Sequence, residues 1–203
     1  DVSMVVNATH ASHISIDGTF SKCPNTHFQL LTCHAVCWNG YSFPFAFTLL
    51  QNKSHASYEK VFDEIDAAAM RTCHRPVFNR TDLTVLCDFE KGLLKALSSL
   101  PCTVKGCHFH YTQAIWRFVA KHGLSNRYLS DTDFRWYVRY LMVLPILPPH
   151  LIRPTFFSLQ DQVRNDNGLV SIYNYFSEVW LSGYPIELWC QNTSTFRTNN
   201  YAE

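Results

Sequence analysis

The 203-residue chain has no apolar run long enough to cross a membrane: stretches such as YLMVLPIL at 140–147 fall well short of the roughly 18 consecutive apolar residues that a span requires. No transmembrane segment is expected. Charge is also scarce, at 16% of residues, against 47% hydrophobic and 15% aromatic. That composition excludes a disordered or low-complexity chain, and this length can bury a full core. There is no internal repeat, and one domain is the expectation. The N-terminus, DVSMVVNATHAS, lacks both an initiator methionine and a basic-then-apolar leader, and so reads as a piece cut from a longer protein.

A strong charge imbalance is missing too, with 17 basic against 16 acidic residues and a net charge of +1. The distribution is uneven, however. Between Gly92 and Gln160 stand eight basic residues (Lys95, Lys105, Arg117, Lys121, Arg127, Arg135, Arg139, Arg153) and two acidic ones (Asp131, Asp133). This excess either lines a phosphate-binding face or forms a solvated helical surface. Eight cysteines, with sequons at Asn7, Asn52, Asn79 and Asn192, fit a secreted disulfide-bonded glycoprotein. Against this, Cys33, Cys37, Cys87 and Cys107 lie in apolar, strand-like stretches, where free cysteine behaves as a small buried hydrophobe.

The first fifty residues read as strands: HISIDGTF at 13–20, HFQLLTCHAVCW at 27–38, then YSFPFAFTLL at 41–50 after an Asn39-Gly40 hairpin turn. From a capping Ser54 or Ser57, the spacing of Tyr58, Val61, Phe62, Ile65 and Ala69 predicts an amphipathic helix. DLTVLCDFEKGLLKALSSL repeats the pattern, a short buried strand ending near Cys87 followed by a helix with Leu93, Leu94 and Leu97 inward. A fifth strand leads into a helix around His108 to Thr112, with Gly123 as its end. Beyond it, helical segments are broken by Pro145, Pro148, Pro149, Pro154 and Gly168. This order predicts an α/β fold, a mixed five-stranded sheet with helices on its faces, whose ligands gather at the strand ends.

Two carboxylates fall at such ends. Asp17 precedes Gly18 and is either a turn residue or a metal ligand; Asp88 is either a helix N-cap, accepting from the amide of Glu90 or Lys91, or a metal ligand. Two aspartates a few ångströms apart repel unless a cation lies between them, and hard oxygen donors suit magnesium or manganese. A third carboxylate completes a two-metal site for phosphodiester chemistry. Glu203 is the leading candidate, with Asn200 as N-cap in a capping-box relation; Glu90 and Glu187 are weaker competitors. Cys107 and His110 form a C-x-x-H pair, but with no second C-x-x-C or H-x-x-x-H this is half of a zinc site.

DGTF, TVLCDFEKGLLKAL, VKGCHFHYTQAIWRFV, LSDTDFRWYVRYLMVLPILPP, FFSLQDQV, YNYFSEVWL and RTNNYAE, in this order and spacing, resemble the Mutator-like element (MULE) transposases over nearly the whole chain. The resemblance implies a ribonuclease-H-like sheet, a DDE triad on Asp17, Asp88 and Glu203 that holds Mg²⁺ or Mn²⁺, and a helical insertion before the glutamate. Residues 1–110 would form the core, 111–196 the helical segment and insertion, and 197–203 the start of the catalytic-glutamate helix. The family's C-x-x-H motif falls on Cys107 and His110, where it helps position DNA or the catalytic helix.

The implied activity is hydrolysis of a DNA strand at a transposon end, then attack of the freed 3′-hydroxyl on target DNA. Lys105, Arg117, Lys121, Arg127, Arg135 and Arg139 would contact phosphates. The implied setting is nuclear, and the implied assembly a homo-oligomer. Family members carry a DNA-reading module upstream and helical residues downstream, so end recognition and support for the glutamate helix are expected outside this stretch. The alternatives are a domesticated DNA-bound regulator without catalysis and the secreted glycoprotein.

The resemblance also settles how residues 13–20 are read: one continuous strand, with His13, Ser15, Asp17 and Thr19 on one face and Ile14, Ile16 and Phe20 on the other. Gly18 then leaves room beside a metal site, and the chain turns near Pro24 and Asn25.

Overall fold

A computed structural model describes residues 2–19, 23–36 and 41–198. Residues 108–197 form one compact unit, and the described residues before 108 form the other together with Thr198. The expected hairpin turn at Asn39-Gly40, Cys37, Phe20, Asn200 and Glu203 lie outside the described residues.

The first unit runs α1 (Val2–Ala8), β1 (His13–Thr19), β2 (Gln29–Val36), β3 (Ser42–Leu50), α2 (His55–Cys73), β4 (Thr84–Cys87), α3 (Lys91–Leu97) and β5 (Thr103–Gly106). The strands form a mixed sheet in the order β3-β2-β1-β4-β5, antiparallel from β3 to β1 and parallel from β1 to β5. β1 is therefore central. β3 carries Pro44 at the sheet edge, where a missing N–H costs no ladder bond. The turn expected near Pro24 and Asn25 is present, closed by the His27 N–H to the Pro24 carbonyl at 2.9 Å.

Strand alternation divides the sheet into two chemically different faces. Ile14, Ile16, Leu31, Cys33, Ala35, Val85 and Cys87 face one core together with Tyr58, Val61 and Phe62 of α2, and Leu93, Ala96 and Leu97 of α3. Ser54 is the α2 cap, accepting from the Ser57 N–H, and His74 ends that helix in the left-handed region at φ 55°. α1 was not foreseen: its seven residues bury Ala8 and pack Val5 against this core, and the Thr9 hydroxyl donates to the Val6 carbonyl at 2.7 Å. Between α2 and β4, both carboxylate oxygens of Asp66 accept from the N–H groups of Val77, Phe78 and Asn79 at 2.7–2.9 Å, which fixes the connection. No disulfide joins the seven described cysteines; all are free thiols, and burial pushes that of Cys33 up to about 12.

The second unit is helical: α4 (His108–Lys121), α5 (Ser125–Ser130), α6 (Thr132–Val143), a 3₁₀ turn (Leu144–Ile146), α7 (Pro149–Gln162), α8 (Asn167–Phe176) continuing as a π turn (Ser177–Leu181), and α9 (Ile186–Trp189). Its core is aromatic. Tyr111 stacks on Trp189 and meets Trp180 and Phe176 edge-on, while Phe156 stacks on Tyr173 and Phe176. The Tyr111 hydroxyl, fully buried, donates to the Leu141 carbonyl at 2.6 Å. The His108 N–H donates to the Arg197 carbonyl at 2.8 Å, so the unit begins and ends at one point, as an insertion does. The expected break at Pro154 is not one: Pro154 lies inside α7. Pro154 and His150, four residues before it, are both exposed, so the N–H that proline lacks is missing on the solvent face of the helix.

Asp166 caps α8 through the Leu169 N–H and pairs with both terminal nitrogens of Arg127, which holds its carboxyl below the usual range. A carboxyl with a depressed folded-state pKa adds stability above its unfolded pKa of about 4 and loses it as pH falls through the folded value. Asp166→Asn keeps the cap and removes the charge. Urea denaturation should show it about 1 kcal/mol less stable than wild type at pH 7, with the gap closing toward pH 3. A gap independent of pH would contradict the pairing.

Candidate active site at the strand ends

β1 and β4 run parallel, with His13 opposite Thr84, Ile14 opposite Val85 and Ser15 opposite Leu86. Asp17 lies two residues beyond that paired stretch on β1, and Asp88 lies two residues beyond it on the other chain segment, as the first residue after β4. Asp17 sits within continuous β1, not in a turn. Asp88 follows the last residue of β4; its Oδ1 accepts from the Glu90 N–H at 3.2 Å, while Glu90 occupies the N-cap position of α3. Asp88 thus bonds one of the two amides expected of it, from two residues ahead of the cap. The next residue, Phe89, packs its ring where a side chain on Gly106 of β5 would stand, which pins the turn to the neighbouring strand.

Gly18 has a different purpose from the one expected. A Cβ there would collide with the side-chain amide of Gln29, so the glycine makes room for a buried glutamine on the core face. On the opposite face Asp17 has polar neighbours. Thr32, its cross-strand partner, donates through Oγ1 to the Asp17 carbonyl at 3.4 Å, and Ser15 faces His34. Ser15 Oγ and His34 Nδ1 are buried without a hydrogen-bond partner. Burial lowers the His34 pKa, and the nearby Asp17 charge acts the other way.

Among the described residues, no group of three or more His, Cys, Asp or Glu side chains is placed to hold a metal ion. Glu203, expected as the third ligand, lies outside them. Asp17 and Asp88 fit a divalent cation by donor chemistry: both are half-buried, both offer hard oxygens, and each follows the paired stretch of β1 and β4 by two residues. Glu90 is engaged elsewhere, with Tyr58 Oη at 2.8 Å from its Oε1 and Lys53 Nζ at 3.1 Å from its Oε2.

Cys107 is buried at the end of β5, its N–H donating to the Cys87 carbonyl at 2.7 Å, so it packs beside the residue that precedes Asp88. His110 lies in the first turn of α4, edge-on to Phe109. Of the basic residues, Lys105 lies half-buried on β5, whereas Arg117 and Lys121 are exposed on α4. Arg139 is exposed over Trp136 and bonds Tyr128 Oη. Arg127 and Arg135 have internal partners: Arg127 pairs with Asp131 and Asp166, and Arg135 donates to the Tyr128 and Leu129 carbonyls at the end of α5.

Sequence reasoning passed over His34 and Gln29, and it placed Tyr58 only as an inward residue of α2. Only Gln29 carried a visible signal, a polar residue on the face of β2 that alternation assigns to the core.

The described residues thus show a mixed five-stranded α/β sheet with Asp17 on its central strand and Asp88 just past the neighbouring strand, followed by a helical unit. The family model of the MULE transposase domain matches residues 13–114, a stretch containing Asp17, Asp88, Cys107 and His110. The chain belongs to the MULE transposase domain family and is transposase-related. No curated protein matches it.

The proximity of Asp17 and His34 is open to titration. By NMR of the metal-free protein, the His34 imidazole should titrate below its ordinary 6.5, and Asp17→Asn, which removes the charge that raises it, should move the midpoint further down. An unmoved or raised midpoint would show that the two side chains are not neighbours.

Proposed function

We propose that the chain is the catalytic core of a DNA transposase, with a ribonuclease-H-like fold and a DDE triad of Asp17, Asp88 and Glu203. The observation that supports this reading is the parallel β1–β4 pairing, with an aspartate two residues beyond the paired stretch on each side, both within the family-matched residues. The three carboxylates hold Mg²⁺ or Mn²⁺. When bound, such ions supply charge stabilisation for in-line displacement at phosphorus. The protein's own part is to keep Asp17 on a central strand and Asp88 on a pinned turn, so that neither must reorganise as charge develops.

The reaction is hydrolysis of a strand at the transposon end, then attack of the freed 3′-hydroxyl on target DNA. Arg117, Lys121, Arg139 and Lys105 serve phosphate contact; Arg127 and Arg135 hold the helical unit together instead. The protein works as a homo-oligomer in the nucleus.

The intact protein should nick a transposon-end duplex in Mg²⁺ or Mn²⁺, and Asp17→Asn and Asp88→Asn should each reduce nicking to background, since an amide cannot replace a carboxylate ligand. Wild-type nicking by either variant would refute the reading. A biological effect retained in full by the triple carboxylate variant would favour a domesticated, non-cleaving regulator.

A further inference from the structure

Glu90 is the acidic residue nearest Asp88 in sequence, and its carboxylate is placed unusually. It stands at the N-cap position of α3, at φ −74° and ψ 124°, yet makes no side-chain bond to the amides of that helix. The carboxylate instead turns away, and only 14% of the side chain is exposed. Oε1 accepts from the Tyr58 hydroxyl at 2.8 Å, and Oε2 pairs with Lys53 Nζ at 3.1 Å. The same residue gives its main-chain N–H to Asp88 Oδ1 at 3.2 Å. Glu90 thus links Asp88 to α2 through one backbone and one side-chain bond.

The chain of contacts continues to the other aspartate. Tyr58 is fully buried, and its oxygen also lies 3.2 Å from Gln29 Oε1. The amide nitrogen of Gln29 occupies the space that Gly18 leaves open, one residue after Asp17. Gln29, Tyr58 and Glu90 therefore run from the strand position beside Asp17 to the turn that holds Asp88. A buried polar chain of this kind is costly to maintain, since each member needs a partner away from water. A core that needed only stability would fill these positions with apolar side chains.

We propose that Glu90, held by Tyr58 and Lys53, is a positioning residue that fixes the Asp88 carboxylate for a divalent cation, with Gln29 tying the same network to the Asp17 strand. The proposal rests on Asp17 and Asp88 being the cation's ligands. Loss of outer partners of this kind weakens metal binding about 10–100-fold without removing a ligand.

The test is Mn²⁺ binding alone, followed by electron paramagnetic resonance on the intact protein, beside urea denaturation and nicking as a function of Mn²⁺. Tyr58→Phe and Lys53→Met should each weaken Mn²⁺ binding about tenfold and raise the half-saturating Mn²⁺ for nicking equally. The rate at saturating metal should stay within about twofold of wild type. Unchanged Mn²⁺ affinity with reduced stability would overturn the proposal and leave Glu90 a fold staple. Loss of saturable binding in Glu90→Gln, as complete as in Asp88→Asn, would overturn it by making Glu90 a ligand. The two readings fail separately. If Asp88→Asn abolishes binding while Tyr58→Phe leaves it intact, only the positioning role falls; if neither aspartate variant affects binding, the ligand assignment falls and takes the positioning role with it.

Discussion

The pairing of β1 with β4 is the interaction on which the rest of this structure depends. β1 is the one strand with an antiparallel neighbour on one side and a parallel neighbour on the other. The antiparallel side lets β1, β2 and β3 follow one another closely in sequence, and the parallel side requires the long return through α2. Only the parallel side brings two chain segments to the same sheet edge running in the same direction. Residues that follow corresponding positions on β1 and β4 therefore come level, however far apart they are in sequence. Bringing two carboxylates level is unfavourable in itself. The surroundings make the arrangement rigid: Phe89 packs on β5, Glu90 bonds to Asp88, and Tyr58 and Lys53 hold Glu90.

The helical unit has a core of its own. Its aromatic cluster of Tyr111, Phe156, Tyr173, Phe176, Trp180 and Trp189 supplies it, and large rings in offset and edge-on contact add to the area they bury. The hydrogen bond between His108 and Arg197 brings its two ends together, so about ninety residues enter and leave the chain at a single point.

Much of the sheet was legible because alternation is local. Ile14 and Ile16 against Ser15 and Asp17 identify the two faces of β1 without reference to any other segment. Asp17 taken alone reads first as a turn residue, and Asp88 as a helix cap; only the two together, with the family pattern, point to a site. What could not be read depended on distant partners. Gly18 was assigned to space for a metal, whereas the group that needs the space is Gln29, on the next strand. Arg127 counted as a basic residue for DNA, but its partner Asp166 lies 39 positions away. Helix α1 is too short to show in its own sequence and packs Val5 and Ala8 against the core. Tyr58 was correctly placed on the inner face of α2, yet that says nothing of what its hydroxyl meets.

The central claim is that Asp17 and Asp88 converge as ligands of one metal site. Its most direct test is a crystal structure of the intact protein soaked in Mn²⁺ and measured for anomalous scattering. The account predicts manganese density within about 2.1 Å of a carboxylate oxygen of Asp17 and of Asp88, with Glu90 outside the coordination sphere. Manganese held by one aspartate without the other, or bound at a different place in the protein, would contradict it.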